Sequence, residues 1–227
     1  ELAKRIGDTK GVRLAGIMGY EGHLLTAWPM GDKEAQIRAS VGQLTETADQ
    51  IRAGAALADE LRVPLVSSQP QYSLLWRVIE SEVVPTCEEL GISQIVWSPL
   101  AQGVLTGKYH VGEDPPEGSR ATDEAGGKSM ISSWLRDEVL EAVASFAGLA
   151  EAAGETPANL ALAWVLGNPN VASAIVGAST ADQATRNVAA LDVTLDDDLR
   201  SRIEAVLEPV TTTDPEQTLK GQPKKRL

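Results

Sequence analysis

Cysteine occurs once in the 227 residues, at Cys87. A single thiol excludes an internal disulfide framework and fits a reducing, cytoplasmic setting. Histidine occurs twice, at His23 and His110, and no cysteine pair accompanies either one. A metal centre built on clustered His and Cys ligands is therefore not expected. Cys87 follows Pro85 in an apolar helical stretch with no adjacent histidine, which reads as a buried, inert thiol rather than a nucleophile. Aromatic residues make up only 4% of the chain, so its core must be largely aliphatic. Basic residues are scarce as well: 20 Lys and Arg against 32 Asp and Glu leave a net charge of -12. That balance argues against a nucleic-acid surface, which needs clustered positive charge. The basic end formed by Lys220, Lys224, Lys225 and Arg226 reads as a solvated tail. No apolar run approaches the roughly 20 residues of a membrane span, and no stretch reads as a secretory signal. Neither a P-loop nor a GxGxxG fingerprint occurs.

What is present is ordinary for a soluble globular protein, with 43% hydrophobic and 23% charged residues. The length suffices for a full core in one or two domains. Glu1 already reads as part of a helix, so a piece of a longer chain, or a joined one, is expected. Gly11–Tyr20 (GVRLAGIMGY) reads as a buried strand, and Lys33–Leu61 as an overlong helix capped by Asp32. Val63–Ser67 is the next expected strand. A helix over Leu74–Leu90 follows, with Pro85 as a kink or a new start and Gly91 as its end. Strand Gln94–Trp97 precedes a Gly-, Pro- and charge-rich loop over His110–Lys128. Helices are expected over Trp134–Ala153 and from Thr156-Pro157 to Leu166, then a turn at Asn168-Pro169-Asn170 and a strand over Ala174–Val176. Helices over Thr180–Leu191 and Asp196–Leu207 complete the pattern, and a disordered tail is expected over 211–227. Alternating apolar strands and helices imply an α/β fold with a parallel, helix-covered sheet. About four strands are legible where a closed (β/α)8 barrel takes eight, so a partial, TIM-barrel-like or half-barrel architecture is expected. Such a sheet leaves open edges, which predicts self-association.

One stretch concentrates functional signals: Ile95–Tyr109 (IVWSPLAQGVLTGKY). It begins as a buried strand, breaks at Ser98-Pro99, and ends in Gly107-Lys108-Tyr109. A broad aromatic at a strand's C-terminal end, followed by hydroxyl, backbone and lysine donors, suits a flat ring joined to a phosphate. A dinucleotide site on a barrel rim is the expectation. Taken singly, each residue has a plainer role. Trp97 could be core, Gln69 a loop clasp, Lys108 and Arg120 solvated charges, and Ser179 a helix cap.

From about Ala48 to Val210 the sequence resembles the aldo-keto reductases, particularly their branch similar to potassium-channel β-subunits. The matching text is VPLVSSQPQYSLLWR, GISQIVWSPLAQGVLTGKY, the GSRATDEAGG loop and LALAWVLGNPNVASAIVGASTADQATRNVAAL. The resemblance implies that these segments are the sixth to eighth barrel strands with their helices, and that they form most of an NADP site. It implies that Gln69 holds the nicotinamide carboxamide and that Trp97 stacks on the nicotinamide ring. Ser98, Leu100, Gln102 and Gly103 would line the pyrophosphate path with their backbone amides, and Lys108 and Arg120 would bring positive charge to the phosphates. Gly177, Ser179 and Gln183 would approach the adenosine ribose and its 2′-phosphate, with Asn187 reaching the adenine edge; Arg186 stands where the family often has Glu. The implied reaction is NADPH-dependent reduction of a small carbonyl substrate.

Residues 1–47 look different. The motif AGIMGYEGH resembles the pyridoxal-phosphate barrel of D-threonine aldolases, which suggests a chimeric barrel joined near Thr47–Ala53. Pyridoxal phosphate is rejected as a cofactor, because the Schiff-base lysine of that family comes from a strand this chain does not contain. Tyr20 and His23 are thus left without a cofactor to serve. The Tyr, Lys, His and Asp of the aldo-keto reductases come from strands two to four, ahead of the matched region. No substitutes are legible around Asp8, Lys10, Tyr20 or His110, and the catalytic residues stay unassigned. A non-catalytic NADP-binding module, or a recombined barrel fragment with no selected activity, is the alternative to an enzyme.

Overall fold

The computed structural model describes residues 48–62 and 64–217. The strand expected over Gly11–Tyr20, the aldolase-like segment up to residue 47, Tyr20 and His23 lie outside these residues. The described chain alternates helix and strand. Helix α1 spans Ala48–Leu61, β1 Ser67–Ser68, α2 Val83–Leu90, β2 Ser93–Trp97, α3 Gly127–Ile131 and α4 Asp137–Ala152. Helix α5 spans Pro157–Leu166, β3 Val171–Ile175, α6 Ala181–Val188 and α7 Asp197–Leu207.

The three strands form one parallel sheet in the order β1-β2-β3. Ser68 pairs with Gln94, and Trp97 with Ile175, across a register shift at Gln94/Ile95. Gln94 is fully buried on the central strand, so its polar groups need partners. Asn170 supplies them for the Gln94 backbone amide and Nε2, while Oε1 is buried without a hydrogen-bond partner. Its carbonyl accepts from the Gln94 amide at 2.8 Å, its Oδ1 accepts from Gln94 Nε2 at 2.9 Å, and its Nδ2 donates to the Ile92 carbonyl at 3.0 Å. The Asn168-Pro169-Asn170 turn therefore clasps the start of β2 as well as reversing the chain.

Helix α5 is the hub of the core. Leu160, Ala161, Trp164 and Val165 are buried on several faces of it, against a shell that includes Val96, Leu105, Phe146 and Ile203. Its start follows directly from sequence. Thr156 accepts from the Asn159 amide at 3.1 Å, and Pro157 occupies the first turn, where a missing N–H costs nothing. Gly91 closes α2 in the left-handed conformation at φ 69°, as expected of a glycine there.

Several expectations need correction. Leu74–Leu90 is helical only from Val83. Upstream, Ser73 and Trp76 exchange backbone hydrogen bonds at 3.0–3.1 Å, while Thr212 donates to the Leu75 carbonyl and accepts from the Arg77 amide. A distant segment thus takes the backbone groups that a helix would use. Of the two roles expected of Pro85 the new start is the one seen, since it lies in the first turn of α2, where amides have no helical acceptor. Thr211 and Thr212, assigned to a disordered tail, are held in place by these bonds and by the Thr211 hydroxyl contacts with Leu74 and Leu207. Strand pairing on the first strand is confined to Ser67–Ser68, and β3 begins at Val171 rather than Ala174. Helix α4 starts at Asp137, with Trp134 in a preceding 3-10 turn. Three strands are seen among the described residues, which fits part of a barrel without showing how far a barrel extends.

Candidate functional site

The C-terminal ends of the parallel strands bring the predicted residues to one edge of the sheet, where ligands of such sheets collect. Gln69 follows β1 directly, and the next residues zip onto the end of β2. The Trp97 amide donates to the Pro70 carbonyl at 3.0 Å, and the Tyr72 amide donates to the Trp97 carbonyl at 3.2 Å. Gln69 and Trp97 therefore sit at neighbouring strand ends, both partly buried. On the other side, Trp97 pairs with Ile175, so the Gly177–Thr180 turn leaves the sheet beside Ser98.

Beyond Trp97 the backbone takes an uncommon course. Ser98, Ala101 and Gln102 have φ of 54°, 46° and 60°, and Gly103 has 97°. Left-handed backbone costs a non-glycine residue about 1–2 kcal/mol, and such outliers cluster at functional sites. The strained turn is tied by side chains. Gln102 Nε2 donates to Ser98 Oγ at 2.5 Å, and Arg120 Nη1 donates to Gln102 Oε1. Arg120 reaches this turn from the far end of the exposed loop. A Cβ at Gly103 would lie 3.6 Å from Lys108 Nζ, which places the Lys108 ammonium against the same turn. Lys108 Nζ also lies 5.3 Å from the centre of the Tyr109 ring. One amide assigned to phosphate is already engaged, because the Gly103 N–H donates to the Leu100 carbonyl at 2.9 Å. The side chains of Ser98, Gln102, Lys108 and Arg120 carry the polar character of the turn, while Leu100 is half-buried against the hydrophobic core.

The second group of predicted residues gathers at the start of α6. Thr180, not Ser179, caps that helix by accepting from the Gln183 amide at 3.1 Å. Gln183 Oε1 accepts from the Ser179 amide at 2.7 Å. One helical turn on, Asn187 Nδ2 is buried without a hydrogen-bond partner, although Asn187 as a residue is only partly covered. A buried donor without an acceptor is costly unless a ligand supplies one. Gly177 lies on the exposed turn between β3 and α6.

The sequence did not reveal a second polar network. Tyr72 donates to Glu80 at 2.7 Å, and Arg77 makes a two-pronged contact with Glu80 and a 3.3 Å ion pair with Glu204. Trp164 donates to Glu204 at 3.0 Å beneath the Arg77 guanidinium. Burial, with the Glu80 charge assisting, pushes the Tyr72 hydroxyl well above the usual tyrosine range. Burial alone would lower the Arg77 pKa, but the Glu80 and Glu204 contacts outweigh it and the guanidinium is held charged. The network borders a cleft of about 510 Å³ lined by Glu208, Thr211 and Thr213 among others, which shares no residue with the strand-end site. Burial likewise raises the Cys87 thiol, in keeping with an inert role. Among the described residues no group of three or more His, Cys, Asp or Glu side chains could hold a metal ion. No helix among them is long and apolar enough to cross a membrane.

A family model described as "Aldo/keto reductase family" matches residues 39–208. The chain belongs to the aldo/keto reductase family. Among its relatives, a "Probable voltage-gated potassium channel subunit beta" of Arabidopsis thaliana is 36% identical over 182 residues, covering 79% of this chain and 52% of that protein. "Protein tas" of Escherichia coli K12 is 35% identical over 172 residues, or 75% and 48% of the two chains. L-glyceraldehyde 3-phosphate reductase of Escherichia coli K12 is 36% identical over 138 residues, or 60% and 39%. The chain spans about half the length of the curated relatives it matches. The aldo/keto reductase match begins inside the segment likened to the aldolase barrel, and the comparisons lend that second resemblance no support.

Proposed function

We propose that this chain forms the NADP(H)-holding part of an aldo/keto reductase, serving the reduction of a small carbonyl compound. The observation that carries this reading is the strained turn at Ser98–Gly103, tied through Gln102 to Arg120. The residues present fit the cofactor. Trp97 offers a flat apolar face at the strand end, Lys108 and Arg120 bring positive charge into an otherwise acidic chain, and the orphaned Asn187 amide awaits an acceptor such as an adenine ring nitrogen. Gln69, with both a donor and an acceptor, suits a carboxamide. Ser98, Leu100 and Gln102 border the phosphate path, and Gly177, Ser179 and Gln183 border the ribose end. When bound, NADPH supplies the hydride. The chain's own residues hold the dinucleotide and screen it from water.

The proton donor is a separate matter. Tyr72 and Tyr109 are the tyrosines among the described residues, and both are buried. The Tyr72 hydroxyl is committed to Glu80, and Lys108 faces the Tyr109 ring. Neither has the arrangement of a tyrosine acid with a lysine at its hydroxyl. That observation favours, as a second reading, a module that binds NADP(H) without turning it over.

Titration with NADPH, followed by quenching of tryptophan fluorescence, tests the first step. Saturable quenching supports both readings, and no quenching at millimolar cofactor removes both, leaving a barrel fragment without selected activity. NADPH oxidation in the presence of a reactive aldehyde then separates the enzyme from the binding module.

A further inference from the structure

Four glycines stand in or beside the loop that carries Arg120, and they differ in what they do. Gly112, Gly118 and Gly126 have positive φ, and a Cβ on any of them would meet nothing within 4 Å. Their backbone conformation explains them. Gly127 is the reverse case. Its φ lies outside the left-handed region, it is buried, and a Cβ there would lie 2.7 Å from Asp123 Oδ2, 2.8 Å from Arg120 Cγ and 2.8 Å from the Arg120 carbonyl oxygen. Two of these neighbours belong to Arg120, and one is backbone that cannot swing aside. Asp123 completes the holder. Its carboxylate accepts from the Ala125 amide at 2.9 Å and the Gly127 amide at 3.1 Å, and its carbonyl accepts from the Lys128 amide at 3.0 Å. The Asp123 amide itself donates to the Arg120 carbonyl at 3.3 Å. A continuous set of contacts thus runs from Gly127 and Asp123 through Arg120 and Gln102 to Ser98, next to Trp97.

We infer that Gly127 and Asp123 are positioning residues, which fix the Arg120 guanidinium over the Ser98–Gly103 turn so that it meets the dinucleotide phosphates preorganised. The inference rests on the NADP(H) reading of that turn. An exposed arginine on a free loop would lose side-chain and backbone entropy on every binding event. Held by its stem, Arg120 has already met that cost in the folded protein. An added methyl at position 127 displaces the Arg120 stem and carbonyl while leaving its charge in the molecule.

The test uses the full chain with Gly127→Ala, Arg120→Met and the double variant. Wild type should bind NADPH, and Arg120→Met and Gly127→Ala should each weaken it about tenfold, the range of one charge-assisted hydrogen bond. The double variant should bind no worse than Arg120→Met alone, because both changes remove one interaction. Weaker dependence of affinity on salt should accompany both single variants, a signature that a general loss of folding would not produce. A readout without cofactor is limited trypsin cleavage at the Arg120–Ala121 bond, which should be faster in Gly127→Ala. If Gly127→Ala fails to fold, Asp123→Ala, which removes cap bonds without adding an atom, carries the same expectations. A wild type that never binds NADPH overturns the cofactor reading and the positioning role together. Wild-type binding with an unchanged Gly127→Ala constant, or a further tenfold loss in the double variant, overturns the positioning role alone.

Discussion

Arg120 and Gln102, 18 positions apart, are joined by a hydrogen bond from the guanidinium to the side-chain carbonyl. Through it a loop with many exposed residues is tied to the end of the central strand. Gln102 is the pivot, because it also donates to Ser98 while holding φ at 60°. A glutamine is an unfavourable residue for that backbone, and glycine would take it without strain. What its side chain connects accounts for a glutamine at this position.

Gln102→Gly should therefore separate stability from binding. Relief of the left-handed strain offsets the lost side-chain bonds, leaving stability unchanged or higher by up to about 1 kcal/mol. NADPH affinity should fall, because Arg120 loses its anchor. Urea unfolding and fluorescence titration on the same preparation check the two halves. A loss of more than about 1 kcal/mol in stability would mean that the turn is held by Gln102 rather than strained around it.

Much of this architecture can be read locally. The Thr156-Pro157 start of α5 and the Gly91 end of α2 are short-range signals, and each stands where the sequence places it, while the helix expected from Asp196 starts at Asp197 with Asp196 as its cap. Residues 74–82 could not be read that way, since Leu75 and Arg77 pair through their backbone with Thr212, which no local pattern announces. The start of β3 at Val171 was missed for a related reason. Ala172 and Ser173 are exposed, so the apolar run that marks a buried strand is absent there. At the strand-end site the individual residues were visible through family resemblance, but their connections were not. The Arg120–Gln102 bond spans a loop whose length says nothing of its path, and Gly127 looks in sequence like the second of two turn glycines. Its tight contact with Arg120 is legible only in three dimensions.

Arg77 is the centre of the second network, with its side chain 22% exposed between Glu80 and Glu204. Arg77→Met keeps much of the stem but leaves two partly covered carboxylates without their cation. Removing one partner of a covered ion pair is worth up to about 3–5 kcal/mol, and the residual exposure here reduces the expectation to about 2 kcal/mol. Urea denaturation at neutral pH measures the loss. Adding Glu204→Gln to Arg77→Met should restore part of that stability, and no restoration would point to packing on Trp164 instead.

Among the described residues β3 has a strand neighbour on one side only, and its last residue Ile175 is 44% exposed, beside Val176 at 37%. An apolar strand with an open edge is a template for pairing. Concentration-dependent self-association of this chain is the expected behaviour in light scattering. Ile175→Lys, which sets a charge on that edge, should shift the distribution towards monomer. A monodisperse monomer at high concentration for the unaltered chain would show that the edge is already covered.

Tyr72 links stability to alkaline pH. In the unfolded chain its hydroxyl titrates near the usual value of about 10, whereas burial and then the Glu80 charge hold it well above that in the folded protein. The folded state therefore keeps a proton that the unfolded state releases. Such a group contributes its full stabilisation below the unfolded pKa and loses it as pH rises above about 10, at up to about 1.4 kcal/mol per pH unit. Cys87, raised in the same sense by burial, adds a similar loss that begins at lower pH. Tyr72→Phe removes the titrating hydroxyl and its bond to Glu80, so it should be less stable than wild type at pH 8. The two curves should converge as pH rises past 10, because only the wild type continues to lose the tyrosine contribution. Denaturation midpoints measured from pH 8 to 11 in a Cys87→Ala background isolate this effect. Parallel curves across that range would show that the Tyr72 proton is not linked to folding.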